Sequence, residues 1–247
     1  MPALIVAGFF GIWQLAAVLI DSPVLPTFTA VALNLFTAEG LPQHLFSSML
    51  RMIAGLSLAA ATGLPLGIIA GMNLRGVNLI NIPTYIFHPI PKTLFIPLIV
   101  LATGIGEFSK ILLIFLSLVF QIILNVRDAV SNIPDQYYIS LKTLGGRRLN
   151  ILRYVTIPAA LPGLFSTLRI SMGIAAAVLF FAEYFGTEWG MGFYIMDAKT
   201  RINFTDLYSG ILALSLMMLA FFRLLNWSEA QMCRWKHPSK VCFPACR

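Results

Sequence analysis

Chemistry in this 247-residue chain is to be sought first among the ionisable side chains that fall inside apolar sequence. Arg169 stands within "GLFSTLRISMG", His88 and Lys92 interrupt "YIFHPIPKTLF", and Glu183 ends the apolar run "AVLFFAE". A charge at the centre of an apolar helix costs at least about 2.5–3.5 kcal/mol on insertion scales unless it meets water or a partner. Arg169 with Lys92 and His88 therefore either gives an aqueous path a positive lining suited to an anion, or is structural. In the structural reading Arg169 snorkels or pairs, and Lys92 reaches an interface from beside a proline break. Glu183 stays open among a gating group, a structural partner of Arg169 and an interfacial residue.

Other chemistry is thinly represented. There is no HExxH and no GxxxxGK[ST] phosphate loop, and the three histidines, His44, His88 and His237, are scattered over different segments. Cys233, His237, Cys242 and Cys246 in the tail "CRWKHPSKVCFPAC" match no standard zinc spacing. That tail is expected to be a basic segment near the headgroups. An odd number of cysteines crowded at one end is a poor disulfide framework, and reduced cytosolic thiols are the simpler account.

The elements that hold these residues are set by composition. A mean hydropathy of +0.84 with 11% charged residues lies outside the soluble range, where about a quarter of residues are charged. The chain is read as an all-α integral membrane protein, a single domain over 1–247 with no room for a second, soluble one. Six spans are expected at about 3–20, 52–72, 79–102, 111–126, 159–181 and 207–225, since each crossing needs about 20 apolar residues. The first lacks a basic n-region and a small-x-small cleavage pattern, so it is expected to stay as an uncleaved span, with a signal peptide as the alternative. A short surface helix is expected from near Thr27.

The second span is rich in small residues (Gly55, Ala59, Gly63, Gly67, Gly71), a packing face that lets backbones approach. The third carries Pro83, Pro89, Pro91 and Pro97 and is predicted to be broken, which lipid tolerates only where the freed carbonyls pack in protein or line a wet cavity. With the amino terminus in the cytosol, 11 of the 17 Lys and Arg fall in cytosolic segments, 4 in external ones and 2 in spans. The positive-inside rule supports that topology. The net charge of +7 is thus a topology signal, and nucleic acid is not a partner.

The longest cytosolic segment, 127–157, contains "SNIPDQYYISLKTLGG" and "RRLNILRYVTI". The first predicts a short helix with Asn132 as cap, Pro134 and Asp135 in its first turn and Gly145 or Gly146 taking the left-handed conformation at its end. The second predicts another short helix leading to Pro158, so that the two make an elbow. Tyr138, Leu141, Leu144 and Tyr137 form an apolar ridge that either marks a partner site or folds back on the spans.

The order Pro134, then Leu141-Lys142-Thr143-Leu144-Gly145, then Arg153, Val155 and Pro158-Ala159-Ala160-Leu161-Pro162 resembles the EAA loop of permease subunits of bacterial binding-protein-dependent ABC importers. "SSMLRMIAGLSLAAATGLPLGIIAGM", "HPIPKTLFIPLIVLATGIGEFSKI", "LRISMGIAAAVLFFAEYFGTEWGMGFYI" and "DLYSGILALSL" are similar to successive blocks of the nitrate, sulfonate and taurine branch, over about Leu25–Trp235. Where the family has Glu-Ala-Ala this chain has Ile139-Ser140-Leu141.

The resemblance implies a type I importer permease fold with a cytosolic coupling helix, in the bacterial inner membrane. It implies ABC ATPase subunits, a second permease copy, an external solute-binding protein and the lipid bilayer as partners, and no cofactor or metal. Tyr138, Leu141, Lys142, Leu144, Gly145, Gly146, Arg147 and Arg148 would couple to the ATPase, and His88, Lys92, Arg169 and Glu183 would lie on the translocation path. "GTEWGMGF" resembles the family's external gate region. The competing functions are a membrane-embedded enzyme, which needs a catalytic constellation, and a secondary carrier, for which related halves are expected; the sequence has neither feature.

Overall fold

The computed structural model describes residues 2–72 and 77–236. Arg75, His237, Lys240, Cys242, Cys246 and Arg247 lie outside the described residues, and with them most of the cysteine-rich tail. Among the described residues every regular element is a helix. In chain order these are α1 (Pro2–Ile20), α2 (Phe28–Thr37), α3 (Leu41–Gly71), α4 (Asn78–Phe87), α5 (Ile96–Thr103), α6 (Glu107–Ser131) and α7 (Asp135–Thr143). They are followed by α8 (Arg148–Ile170) and by α9 (Met172–Gly186), α10 (Met191–Thr200) and α11 (Phe204–Met232).

By length and composition α3, α6, α8 and α11 can each cross a bilayer, and α4 with Lys92–Thr103 makes a fifth crossing if that bent pair counts as one. Six are expected from sequence. The expected first span is the 19-residue apolar helix α1, and the expected span 159–181 is divided by a turn at Ser171 into the end of α8 and the shorter apolar helix α9. In the other direction α3 starts eleven residues before the expected Met52. Pro42 sits in its first turn, where a missing N–H costs nothing. At 1.5 Å per residue its 31 residues reach about 46 Å, longer than the ~30 Å hydrocarbon core.

The chain forms two compact units, each gathered from three separate stretches. One comprises the chain up to Ile53 with Thr93–Leu113 and Ala176–Leu219; the other comprises Ala54–Lys92, Ile114–Ala175 and the chain from Ala220.

In the first unit, Leu41, Met191, Tyr194 and Ala213 make a buried cluster against which Leu35, Ala38, Leu45 and Leu214 pack. The expected surface helix is α2, and Thr27 is its N-cap, with its side-chain oxygen accepting from the Ala30 N–H. Asn34 ties α2 to α11 by donating to Asp206 at 2.8 Å and to Ser209 at 3.1 Å. Phe10 stacks on Phe28 at 4.3 Å, and the Trp13 indole donates to the Pro26 carbonyl at 3.2 Å, so α1 is held by aromatic contacts to α2.

In the second unit the small-residue stripe of α3 is a packing face. Gly63, Gly67 and Gly71, four residues apart, lie against Ile122, Val126 and Val130 of α6, which share that spacing. A methyl group on any of the three would stand 2.6–2.7 Å from the facing side chain. Glycine is what permits so close a crossing.

Candidate functional site

Two constellations stand out, one in each unit. In the second unit the elbow forms locally. α7 begins after Pro134, whose extended backbone holds the N-cap position, and Asp135 occupies the first turn, where a carboxylate complements the helix dipole. Asn132 does not cap it; its amide donates back to the Asp128 carbonyl at 2.8 Å. At the other end Gly145 takes φ +78°, its N–H bonds the Lys142 carbonyl at 3.0 Å and the Gly146 N–H bonds the Leu141 carbonyl at 2.9 Å. These two bonds define a Schellman ending, which satisfies carbonyls the helix leaves open. Leu141 O would stand 2.6 Å from a Cβ at residue 146, so both glycines are required.

The predicted ridge is split by this geometry. Tyr138 and Leu141 are half-buried, whereas Tyr137, Leu144, Leu149 and Tyr154 are exposed, Leu144 by 83%. Lys142, Arg147 and Arg148 surround that apolar surface with exposed positive charge. The expected second short helix is continuous with the following span. Its chain passes through a π-helical turn at Leu152–Thr156 and runs on to Ile170.

The residues of the second unit that sequence suggests for a path are all engaged. Lys92 Nζ donates to the carbonyls of Phe87 at 2.6 Å and His88 at 2.7 Å, closing the C-terminus of α4 where the prolines break the chain. His88 is exposed and supplies one of those carbonyls. Arg169 Nη1 pairs with Glu229 at 2.6 Å and donates to Asn226 at 2.6 Å.

In the first unit Glu183 is fully buried, and its partner is Arg51 at 2.7 Å. Ser48 Oγ sits 2.7 and 2.8 Å from its two oxygens, and the Gly192 N–H donates to it at 2.9 Å. Arg51, itself buried, forks onto Glu107 at 2.6 and 2.7 Å and donates to the Trp189 carbonyl at 2.7 Å. The fork is the bidentate geometry in which arginine matches a carboxylate, here one whose outer face is exposed.

The loop between α9 and α10 is fixed by the same side chains. The Met191 N–H donates to Ser48 at 2.8 Å, and His44 Nδ1 lies 3.0 Å from the Gly190 nitrogen and 3.2 Å from its carbonyl oxygen, so the imidazole is fixed to the backbone of Gly190. Gly190 has φ +134°, and a Cβ there would stand 2.4 Å from the Glu183 carboxyl carbon. His44 packs among the rings of Trp189, Phe193 and Tyr194. Burial, then the negative charge of Asp206, pushes the Tyr194 phenol up to about 12, so it contributes a neutral ring.

Sequence reasoning singled out Glu183 but missed Arg51, Ser48, His44, Glu107 and Lys110. The available signal was a charge pair, Arg51 and Glu183, at facing ends of two apolar runs.

The family described as "Binding-protein-dependent transport system inner membrane component" matches residues 63–232, more than half of the chain. The chain belongs to this family. It is a transmembrane permease component of a binding-protein-dependent ABC transport system. The permease is 30% identical over 245 residues to the putative aliphatic sulfonates transport permease protein of Bacillus subtilis (strain 168), covering 96% of this chain and 86% of that one. It is 29% identical over 232 residues to the taurine transport system permease protein of Escherichia coli (strain K12), covering 90% and 84%. An inward-facing structure of the MetNI methionine ABC transporter superposes with a TM-score of 0.64 at 18% identity, over 80% of this chain and 96% of that one. The permease therefore has the fold of an ABC importer's transmembrane subunit, as the EAA-like order of residues 134–162 implies.

Proposed function

We propose that the permease forms the translocation path for a small anionic solute such as nitrate, a sulfonate or taurine, driven by ATP hydrolysed on separate ABC ATPase subunits. Two copies form the path in a bacterial inner membrane, and an external solute-binding protein delivers the solute. The relative named for sulfonates and the bicarbonate transport system permease protein of Synechococcus elongatus, 29% identical, support the anion class, and the relative named for taurine, a zwitterion, supports recognition of a sulfonate group.

The observation that carries the coupling role is the elbow. An apolar surface with an 83% exposed leucine, ringed by Lys142, Arg147 and Arg148, lies where α7 is ended by two obligatory glycines and just before α8, which runs on into a span. Large exposed apolar side chains on a rigid polar segment mark a docking site. In this reading residues 138–148 dock on the ATPase, and α8 carries the displacement inward. The positive-inside count supports a cytosolic location for residues 127–157. His88, Lys92, Arg169 and Glu183 act along the path, with Arg169 as its cation and Glu183 beside the external gate.

Reconstitution tests this reading. Vesicles holding the permease, its ATPase partners and the external binding protein are expected to accumulate taurine, an alkanesulfonate or nitrate only with ATP and only with all components present. Solute movement by the permease alone, or chemical turnover of the solute, contradicts it.

A further inference from the structure

We propose that Lys110 and the cavity it lines form a binding site on the permease itself for the head group of a short organic monoanion, a carboxylate or sulfonate with an apolar body. This rests on the importer reading and adds to it a site and a chemical class. The cavity, about 570 Å³, lies wholly within the first unit between the start of α6 and the α9–α10 loop. Its apolar walls are Ile105, Phe185 and Trp189, and its charged side chains are Glu107, Lys110 and Glu188.

Lys110 is 3% exposed, yet its ammonium makes a single hydrogen bond, 3.3 Å to Glu107. An ammonium has three donors, and charge-assisted bonds run at about 2.7–2.9 Å, so this cation is under-coordinated for its burial. Glu107 is shared, since Arg51 holds its two oxygens at 2.6 and 2.7 Å and leaves Lys110 the longer contact of 3.3 Å. A buried ammonium with donors to spare on a cavity wall is built to take an oxyanion. It also lies in the first turn of α6, where the helix dipole adds positive potential.

The remaining lining narrows the ligand. Three apolar or aromatic walls reward an organic body by dispersion and desolvation, which an inorganic anion does not offer. Glu188 is exposed and carries a negative charge that repels a second charge on the ligand, so dianions are disfavoured. The site is preorganised, since the Trp189 carbonyl accepts from Arg51 at 2.7 Å and from Thr187 Oγ at 2.8 Å.

The permease, with Trp13, Trp227 and Trp235 replaced by phenylalanine and its remaining indole labelled as fluorotryptophan, is assembled with unlabelled ATPase partners in lipid nanodiscs, so that Trp189 is the sole labelled indole. Titration with 1-propanesulfonate is expected to shift the fluorine resonance of Trp189 saturably, and bicarbonate to require roughly tenfold higher concentration or more. Lys110→Gln should weaken propanesulfonate by roughly tenfold or more, with Lys110→Arg restoring most of the affinity. Glu188→Gln, at an exposed position that does not endanger folding, removes a repelling charge from the wall and should tighten both propanesulfonate and sulfate, sulfate by the larger factor. Absence of a saturable response, equal response in a folded Lys110→Gln variant, or no larger gain for sulfate than for propanesulfonate in Glu188→Gln overturns the site. If Lys110→Gln does not assemble, the bicarbonate and Glu188→Gln titrations decide. ATP hydrolysis stimulated by the external binding protein, measured in the same nanodiscs, stands or falls with the importer reading and separates the two failures.

Discussion

The Arg51 cluster and the elbow are both rigid, but by opposite physics. The cluster is held by side chains: a buried ion pair, a forked arginine, a serine and a histidine fix a glycine loop from residues far apart in sequence, Arg51 and Glu183 being 132 positions apart. The elbow is held by backbone: two hydrogen bonds and one positive φ end α7, and most of its side chains stay exposed. A region fixed by its own backbone can offer its side chains to a partner. A region whose side chains are spent on one another can only hold a shape. That contrast fits the elbow to docking and the cluster to framing the loop and cavity of the first unit.

The contrast is broken most severely at Arg51. Arg51→Ala leaves Glu183 buried without its cation and is expected to cost about 3–5 kcal/mol, seen as loss of folded permease in detergent thermal melts. Combining Arg51→Met with Glu183→Met should recover much of that loss, because the desolvation cost goes with the pair. If Arg51→Ala melts like the parent, the cluster is not what fixes the loop.

The elbow should respond in function more than in stability. Gly145→Val forces a β-branched residue into φ +78° at a cost of about 1–3 kcal/mol, confined to a surface turn. The variant is expected to insert and to hydrolyse ATP while uptake falls, as measured in parallel on the same vesicles. Normal uptake would show that the elbow's geometry is not used.

Two further substitutions sharpen the comparison with smaller effects. Arg169→Gln removes one partly exposed ion pair, worth about 1–2 kcal/mol, and in the path reading also slows anion uptake. Normal anion uptake in a folded variant would reduce Arg169 to a structural partner of Glu229. Lys92→Met removes the ammonium that closes α4 and should lower stability by about 0.5–1 kcal/mol, measured as a small shift in the melt.

The same division explains what could be read from sequence. The elbow was legible because its determinants are local: Pro134 and Asp135 begin a helix, and a glycine pair after Leu144 ends it. The stripe Gly63, Gly67 and Gly71 was legible as a packing face because its period is that of a helix. The partner of Glu183 was not, since nothing near Glu183 in the chain encodes Arg51, and Arg169 was the nearer guess. Nor was the break at Ser171, where the flanking residues continue an apolar helical pattern and the interruption is bridged by the hydroxyl's bond to Gln121. Lys92 was recognised as a charge beside a proline break, but its use in capping depends on a backbone turn that the prolines permit without specifying.

The central claim, that the elbow and not the Arg51 cluster meets the motor, is tested most directly by photo-crosslinking from two positions in the assembled transporter. A photoreactive residue at Leu144 is expected to form an adduct with an ATPase subunit, in a yield that changes with nucleotide, while one at Trp189 forms none. An ATPase adduct from Trp189, or none from Leu144 under any nucleotide condition, would contradict it.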